Sequence, residues 1–329
     1  MNQPMHEPAA VAELIRAGKK LLLAGDERLF GSLPRGSWIG GTIPYFMTDK
    51  GGVNTHDRMY VTELPPYVPQ AAIKYYDEKA IANIFGEAKP HGFSFIMIPA
   101  MSKTHVSFAV NAPTYPGFAS RPLLGWITGV DLAEVGKKLP RIFNGESGES
   151  YSDGAIVMHV GLPDHKVAEV DILNMFRPGQ GETIEFPEDG FTANDALIDG
   201  KRQSFAAYLR EKSIDTRLPL VADFAGAMIN TSFQGVDEST HIVSFYAPVF
   251  KGVKYKIAAI EGDYVDDFAR KMPHGEGEQL FFACNCILNY IHAGLEGRKT
   301  GAVTGPVTFG EIAYQLLNQT LVYLRISEV

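Results

Sequence analysis

Gln279-Leu-Phe-Phe-Ala-Cys-Asn-Cys286 and Leu317-Asn-Gln-Thr-Leu-Val-Tyr-Leu-Arg-Ile326 are two apolar stretches that predict buried strands. Gly305-Pro-Val-Thr-Phe-Gly-Glu311 lies between them, and its glycines and proline predict a turn. The segment 320–326 has apolar residues on both faces, which is typical of a central strand. Polar side chains from these three stretches would then gather at one end of a sheet. This arrangement predicts a small-molecule pocket.

The composition of the chain indicates a packed globular protein. Its 329 residues are 45% hydrophobic and 21% charged, close to the averages for globular domains. A formal net charge of −8 and the lack of a Lys/Arg cluster argue against a nucleic-acid partner, because such binding relies on concentrated positive charge. The length allows two ordinary domains, each with its own core.

The sequence also predicts a compartment and a redox state. Residues 1–8 lack the features of a signal peptide, and no later apolar run is long enough to span a membrane, so we expect a cytoplasmic protein with no membrane partner. Cys284 and Cys286, the only two cysteines, would lie on one strand roughly 6.5–7 Å apart with parallel side chains. That geometry suits reduced thiols and not a disulfide.

Strand and helix patterns alternate along the chain without a regular parallel repeat. They predict an α+β fold of two packed halves, with largely antiparallel or mixed sheets flanked by helices. Residues 177–200 are polar and rich in glycine and proline, so we expect a bridge there. The predicted halves are residues 1–176 and 201–329.

Several local elements follow from capping and periodicity. Ser102 is the expected N-cap of a helix that runs to Val110. The apolar stripe and charged flanks of 201–212 predict a second helix. Residues 155–160 and 167–176 are expected to form a hairpin around Leu162-Pro-Asp164.

The predicted ligand-binding residues are the polar and thiol side chains of the three opening stretches: Cys284, Asn285, Cys286, Thr308, Glu311 and Asn318. A carboxylate after Phe309-Gly310 suits either a ligand ammonium group or the backbone N–H groups of its own turn. Both roles stay open from the sequence. Strand alternation points Asn285 away from both cysteines.

Two alternatives concern Cys284. It would be the catalytic nucleophile if the protein is an enzyme, with His292 as the nearest base in sequence. A metal site would combine the two cysteines with His292 and Glu296, but structural zinc favours C-x2-4-C spacing over the C-x-C found here. The pair His56-Asp57 is a weaker signal still. The sequence therefore predicts neither a metal nor a cofactor.

The same C-terminal segment resembles the FIST family, the sensory domains named for F-box and intracellular signal transduction proteins. The matching residues are Phe281-Phe-Ala-Cys284, the glycine-rich 301–311 and Asn318-Gln-Thr-Leu-Val-Tyr-Leu324, and 21–47 resembles the N-terminal half of the family. The resemblance implies binding of an amino acid or another small polar metabolite. It also implies action through a separate signalling protein, since no output module fits within this chain.

Small-molecule sensing is thus the expected function. One alternative is a cysteine hydrolase or transferase that acts on a small acyl or amide substrate. The other is a non-catalytic scaffold or interaction protein. The sequence leaves the oligomeric state open, with a homodimer among the options.

Overall fold

The computed structural model describes residues 4–224, 226–260, 262, 264–271, 279–301 and 303–329. Strand accounts for 46% of the chain and helix for 17%. The sheets are mixed and antiparallel, and the helices are few. The predicted α+β class is therefore confirmed at this coarse level.

The strands are numbered in chain order: β1 Met5–His6, β2 Leu21–Gly25, β3 Trp38–Thr42, β4 Tyr45–Thr48, β5 Gly51–Asn54, β6 Met59–Glu63, β7 Gln70–Tyr76, β8 Gly92–Pro99, β9 Leu123–Thr128, β10 Ile142–Asn144, β11 Glu149–Tyr151, β12 Ala155–Gly161, β13 Lys166–Asn174, β14 Arg177–Pro178, β15 Ile184–Glu185, β16 Gly190–Ala193, β17 Asp195–Ile198, β18 Lys201–Ser204, β19 Leu220–Phe224, β20 Ala227–Thr231, β21 Phe233–Asp237, β22 Ile242–Val249, β23 Tyr255–Ala259, β24 Gln279–Cys286, β25 Gly305–Thr308, β26 Glu311–Ala313, β27 Gln315–Leu317 and β28 Thr320–Glu328. The α-helices are α1 Pro8–Arg16, α2 Glu27–Phe30, α3 Ile84–Glu87, α4 Lys103–Asn111, α5 Phe205–Glu211, α6 Tyr264–Lys271 and α7 Ile287–His292.

The chain divides into two compact units. The first comprises Met1–Ile172, Met272–Leu316 and Leu321–Val329. The second comprises Leu173–Lys271 and Leu317–Thr320. Residues 177–200, for which the sequence predicts a bridge, contain β14 to β17 of the second unit.

Two of the parallel strand pairs in the first unit, β2 with β3 and β8 with β9, position the candidate site. One sheet has the order β1-β6-β2-β3-β10-β11, and in it β2 runs parallel to β3. A second has the order β27-β26-β9-β8-β12-β7, and in it β8 runs parallel to β9. A third has the order β13-β28-β24-β25-β4-β5. Every residue of β2, β3 and β9 is buried, which explains their apolar composition.

An aromatic cluster fills part of the core of the first unit. The Trp126 ring stacks on Phe282 with centroids 5.6 Å apart, and Phe95 contacts both rings edge-on. These residues come from β8, β9 and β24. Burial of three large rings stabilises the contact between strands that are far apart in sequence.

The second unit has its own apolar core, as a domain-sized unit requires. Its centre is Phe186, which packs edge-on against Phe205, Phe245 and Tyr255. These rings come from β22, β23, α5 and the segment after β15. All four are at most 2% exposed.

The structure tests the local predictions individually. Ser102 caps α4, because its hydroxyl accepts a hydrogen bond from the His105 N–H at 3.0 Å, so that prediction is confirmed. The helix predicted from residue 201 begins instead at Phe205, since Ser204 caps α5 and 201–204 pair with β17. The hairpin of 155–160 with 167–176 is wrong: β12 lies between β7 and β8, and β13 pairs with β28.

Within the described residues, the helices are too short or too polar to cross a membrane.

Candidate functional site

Five of the predicted ligand-binding residues lie close together inside the first unit. Cys284, Asn285 and Cys286 are in β24, which is bordered by β25 with Thr308. Glu311 begins β26, and the Thr308 hydroxyl lies 3.5 Å from Glu311 Oε1. Each of the five is at most 2% exposed. Asn318 belongs to the second unit, where its backbone oxygen accepts a hydrogen bond from Asn230 Nδ2 at 3.1 Å.

The surroundings of Cys284 do not favour a nucleophile. Burial, with smaller contributions from Glu311 and Cys286, raises the pKa of the Cys284 thiol well above its usual range. The thiol is 3.6 Å from the Gly125 carbonyl oxygen, to which it donates. Reactive cysteines need a lowered pKa and access to solvent, and this residue is 1% exposed. Its environment is that of a structural core thiol.

The carboxyl ends of the two parallel strand pairs meet in the first unit. The Gly129 N–H, just after β9, donates to the carbonyl oxygen of Thr42 at the end of β3 (2.8 Å). Gly41 permits this approach, because a Cβ there would lie 2.6 Å from Thr128 Cγ2. The segments that follow β2, β3, β8 and β9 border two adjoining cavities, which we call the cleft. Ligands commonly bind where parallel strands end.

A charged cavity of about 40 Å³ forms one end of the cleft. Asp26 follows β2 directly, and Asp131 lies three residues after β9. His56 bridges them: its Nδ1 is 2.6 Å from Asp26 Oδ2, and its Nε2 is 3.3 Å from Asp131 Oδ2. Both ring nitrogens of His56 therefore face carboxylate oxygens, and Nδ1 shares a hydrogen bond with Asp26 Oδ2.

Both aspartates are held in the ionised form. Partial burial works to raise the pKa of Asp26, but hydrogen bonds from His56 and Arg28 outweigh it and lower that pKa. A 2.9 Å hydrogen bond from Asn54 is the main cause that lowers the pKa of Asp131. The two side chains are only 13% and 16% exposed. The charged end of the cleft therefore contains two ionised carboxylates that are largely shielded from solvent.

Two basic side chains at the charged end of the cleft already form ion pairs with carboxylates. Arg28 pairs with Asp26 at 2.9 Å, and Lys138 pairs with Glu134 at 2.6 Å. Among the described residues, neither a lysine nor an arginine forms an ion pair with Asp131, whose nearest basic side chain is His56. Asp131 is thus the carboxylate best placed to receive a cation from a ligand.

An apolar cavity of about 170 Å³ forms the other end of the cleft. Its apolar border consists of Ala100, Met101, Val130, Val135, Leu139, Pro140 and Phe309. Val130 and Lys138 border both cavities, so the two cavities lie side by side. The Phe309 ring packs on the backbone of Gly129, where a Cβ would be 2.3 Å from the ring. The absence of a side chain at Gly129 therefore determines the position of the Phe309 ring at the edge of the cavity.

Met101, on the rim of the apolar cavity, has a strained backbone. Its φ is +62°, a conformation that costs a non-glycine residue of order 1–3 kcal/mol, and 67% of the residue is exposed. Its N–H donates to His105 Nδ1 at 3.1 Å, which fixes the turn between β8 and α4. Strain of this kind is concentrated at ligand-binding sites, where surrounding contacts maintain it.

Metal coordination finds no support in the described ranges, in which His, Cys, Asp and Glu side chains form no group of three or more placed to hold an ion. In particular, both ring nitrogens of His56 already face Asp26 and Asp131.

Sequence reasoning missed the residues of the cleft. It weighed His56 only as half of a weak metal signal and did not single out Asp26 or Asp131. A usable signal was present, since Asp26 directly follows the apolar Leu21–Gly25 and Asp131 comes just after the apolar Leu123–Thr128. Polar residues placed directly after buried parallel strands are typical of binding sites.

Comparison with known proteins corrects the family resemblance. A family model described as "Family of unknown function (DUF6976)" matches residues 6–327, nearly the entire chain. That family is not FIST, so the predicted FIST resemblance is wrong. The shared Phe-Phe-Ala-Cys and Phe-Gly-Glu segments are short core and turn sequences, which different folds can use alike. No curated protein matches the chain.

Proposed function

The chain belongs to this family of unknown function (DUF6976), and we propose from its own geometry that the cleft of the first unit binds a small molecule with an apolar body and a positively charged amine. The observation that carries the proposal is the position of an apolar cavity of about 170 Å³ directly beside the Asp26, His56 and Asp131 array. Binding sites of small molecules typically combine apolar walls with a few fixed polar groups.

The size of the apolar cavity supports a ligand body as large as a benzene ring. An apolar cavity of about 150 Å³ suffices for benzene in another protein, and this one is similar in volume. Phe309 and Leu139 would contact such a ring, and each buried CH₂ or ring carbon would contribute favourable transfer free energy.

The charge of the cleft supports an amine as the polar group. Asp26 and Asp131 stay ionised, and Asp131 has no lysine or arginine partner among the described residues. A hydrogen bond between charged groups contributes about 1.5–3 kcal/mol, twice that of a neutral pair. A ligand carboxylate would face repulsion from the same side chains.

Three compounds that share a phenethyl body test the proposal by thermal unfolding: phenethylamine, 2-phenylethanol and 3-phenylpropanoate. A ligand at about 100 times its Kd adds about 2.7 kcal/mol to the free energy of unfolding. We expect the amine to raise the melting temperature most, the alcohol less and the acid least. Equal shifts for the acid and the amine would refute the amine assignment. No shift for any of the three would favour the scaffold alternative.

Gly129→Ala is expected to weaken phenethylamine binding by roughly tenfold, because overpacking against Phe309 costs about 1–3 kcal/mol and moves the aromatic wall. Calorimetric titration measures the Kd. Gly86→Ala is the matched control, since a Cβ there meets no atom within 4 Å and the residue is an exposed part of α3. An unchanged Kd in Gly129→Ala would show that Phe309 is not a wall of the binding site.

A further inference from the structure

A second, separate cavity lies beside β24 in the first unit. Its volume is about 10 Å³, and Cys284, Asn285, Thr300, Thr304 and Leu321 are among the residues that border it. That volume holds one water molecule and nothing larger. The cavity therefore lies among the residues that the sequence predicts as ligand-binding, but it differs from the cleft in size and position.

The orientation of the Asn285 amide is fixed by its neighbours. The Cys286 backbone N–H donates to Asn285 Oδ1 at 2.8 Å, and a backbone N–H can only donate. Asn289 Nδ2 donates to the same oxygen at 2.9 Å. The Nδ2 group of Asn285 must then point away from both. It has no hydrogen-bond acceptor among the described residues, although Asn285 is only 2% exposed.

Thr300 presents a second buried polar atom to the same cavity. The residue is 2% exposed, and its Oγ1 has no hydrogen-bond partner in the described part of the chain. The Thr304 hydroxyl also borders the cavity and lies 2.9 Å from the Tyr60 hydroxyl, with capacity for a further bond. A buried amide or hydroxyl without a partner costs about 1–3 kcal/mol, so two such atoms on residues that border one small cavity favour a bound polar partner there.

We propose that this cavity is the binding site of one ordered water molecule. The water accepts a hydrogen bond from Asn285 Nδ2 and forms a second with Thr300 Oγ1, with Thr304 Oγ1 available as a third partner. Buried waters typically make about three such bonds. The water bridges β24 to the segment that precedes β25. The predicted ligand residue Asn285 thus serves a structural solvent site, independent of the amine proposed for the cleft.

A high-resolution crystal structure of the complete chain tests the water directly. We expect an isolated density peak within hydrogen-bond distance of both Asn285 Nδ2 and Thr300 Oγ1. Thr300→Ser keeps the hydroxyl and should keep the peak, whereas Thr300→Val should lose or displace it. A cavity without density in the wild-type structure would overturn the proposal.

The direction in which Thr300→Val changes the melting temperature gives an independent test of the water site. If water satisfies Thr300 Oγ1, the nearly isosteric Thr300→Val removes a hydrogen bond and should lower the melting temperature by roughly 2–4 °C. If the cavity is dry, the same change removes an unsatisfied hydroxyl and should raise the melting temperature. An increase in the melting temperature would therefore contradict the water site. If the variant does not fold, the electron density in the cavity of the wild-type protein is the test.

Discussion

Lowering the pH from 7 to 4 is expected to remove roughly 6 kcal/mol from the free energy of unfolding, about 3 kcal/mol for each of two buried histidines. Burial lowers the pKa of His159 to about 4 and that of His105 to about 4. The unfolded chain therefore binds these protons first, near pH 6.5. The stabilisation that these two neutral histidines contribute is fully present above that pH and is lost as the pH falls toward 4. A loss of this size is comparable with the total stability of many domains.

The contacts of His159 explain why it stays neutral. Tyr76 donates to Glu87 Oε2 at 2.7 Å, so its oxygen accepts from His159 Nε2, also at 2.7 Å. Ser94 then donates to the unprotonated Nδ1 at 2.7 Å. Protonation of Nδ1 would require the Ser94 hydroxyl to turn round, and it would place a charge in a site that is 3% exposed, where burial lowers the pKa of His159. His105 is constrained likewise, because its Nδ1 accepts from the Met101 N–H.

Denaturant titrations between pH 6 and pH 4.5 measure this effect as a slope. Each buried histidine should contribute about 1.4 kcal/mol per pH unit, so His159→Gln should reduce the slope by that amount even if it lowers stability at pH 7. His165→Gln is the control, because that side chain is exposed. If the slope is the same in His159→Gln and the wild type, His159 does not take up a proton on unfolding in this range.

Asp131→Asn is expected to raise the Kd for phenethylamine by roughly 10–100-fold, which corresponds to loss of one charged hydrogen bond of about 1.5–3 kcal/mol. The variant keeps an oxygen that can accept from the Ala133 N–H, at 2.9 Å in the native protein, so the turn after β9 should survive, while its new amide N–H group replaces the oxygen that accepts from Asn54. The charge that attracts the amine is removed. Calorimetric titration gives the Kd, and thermal unfolding verifies that the variant is folded.

Asp195→Asn supplies the matched control for charge. This aspartate pairs with Arg202 on the second unit and is 38% exposed, so the same substitution there changes the net charge equally. Its Kd for phenethylamine should equal that of the wild type. A folded Asp131→Asn protein that binds phenethylamine within twofold of the wild type would remove Asp131 from the proposed site.

Local structure was predictable where a single side chain decides it. Ser102 caps α4 as expected, because capping depends on a hydroxyl and the next three N–H groups. The start of the helix predicted at 201 was misplaced because 201–204 pair with β17 and Ser204 supplies the cap. Charged residues such as Lys201 and Arg202 suit an exposed strand and an exposed helix equally well.

Pairing across long distances in sequence was not predictable. β12 is inserted between β7 and β8, which local turn chemistry around Leu162-Pro-Asp164 could not indicate. The candidate site depends on such pairings, since Asp26, His56 and Asp131 meet only after β2, β3, β8 and β9 are arranged. The sequence predicts a buried strand at 279–286, and β24 occupies that range. The burial of Thr308 and Glu311, in a stretch predicted as a turn, depends on the pairing of β25 with β24 and of β26 with β9, which local sequence does not indicate.

A crystal structure of the protein soaked in phenethylamine shows whether the cleft binds an amine. We expect density in the cleft, with the ammonium nitrogen within hydrogen-bond distance of Asp131 or Asp26 and the ring against Phe309 and Leu139. An amine bound only elsewhere, or a cleft without ligand at saturating concentration, would contradict the proposed function.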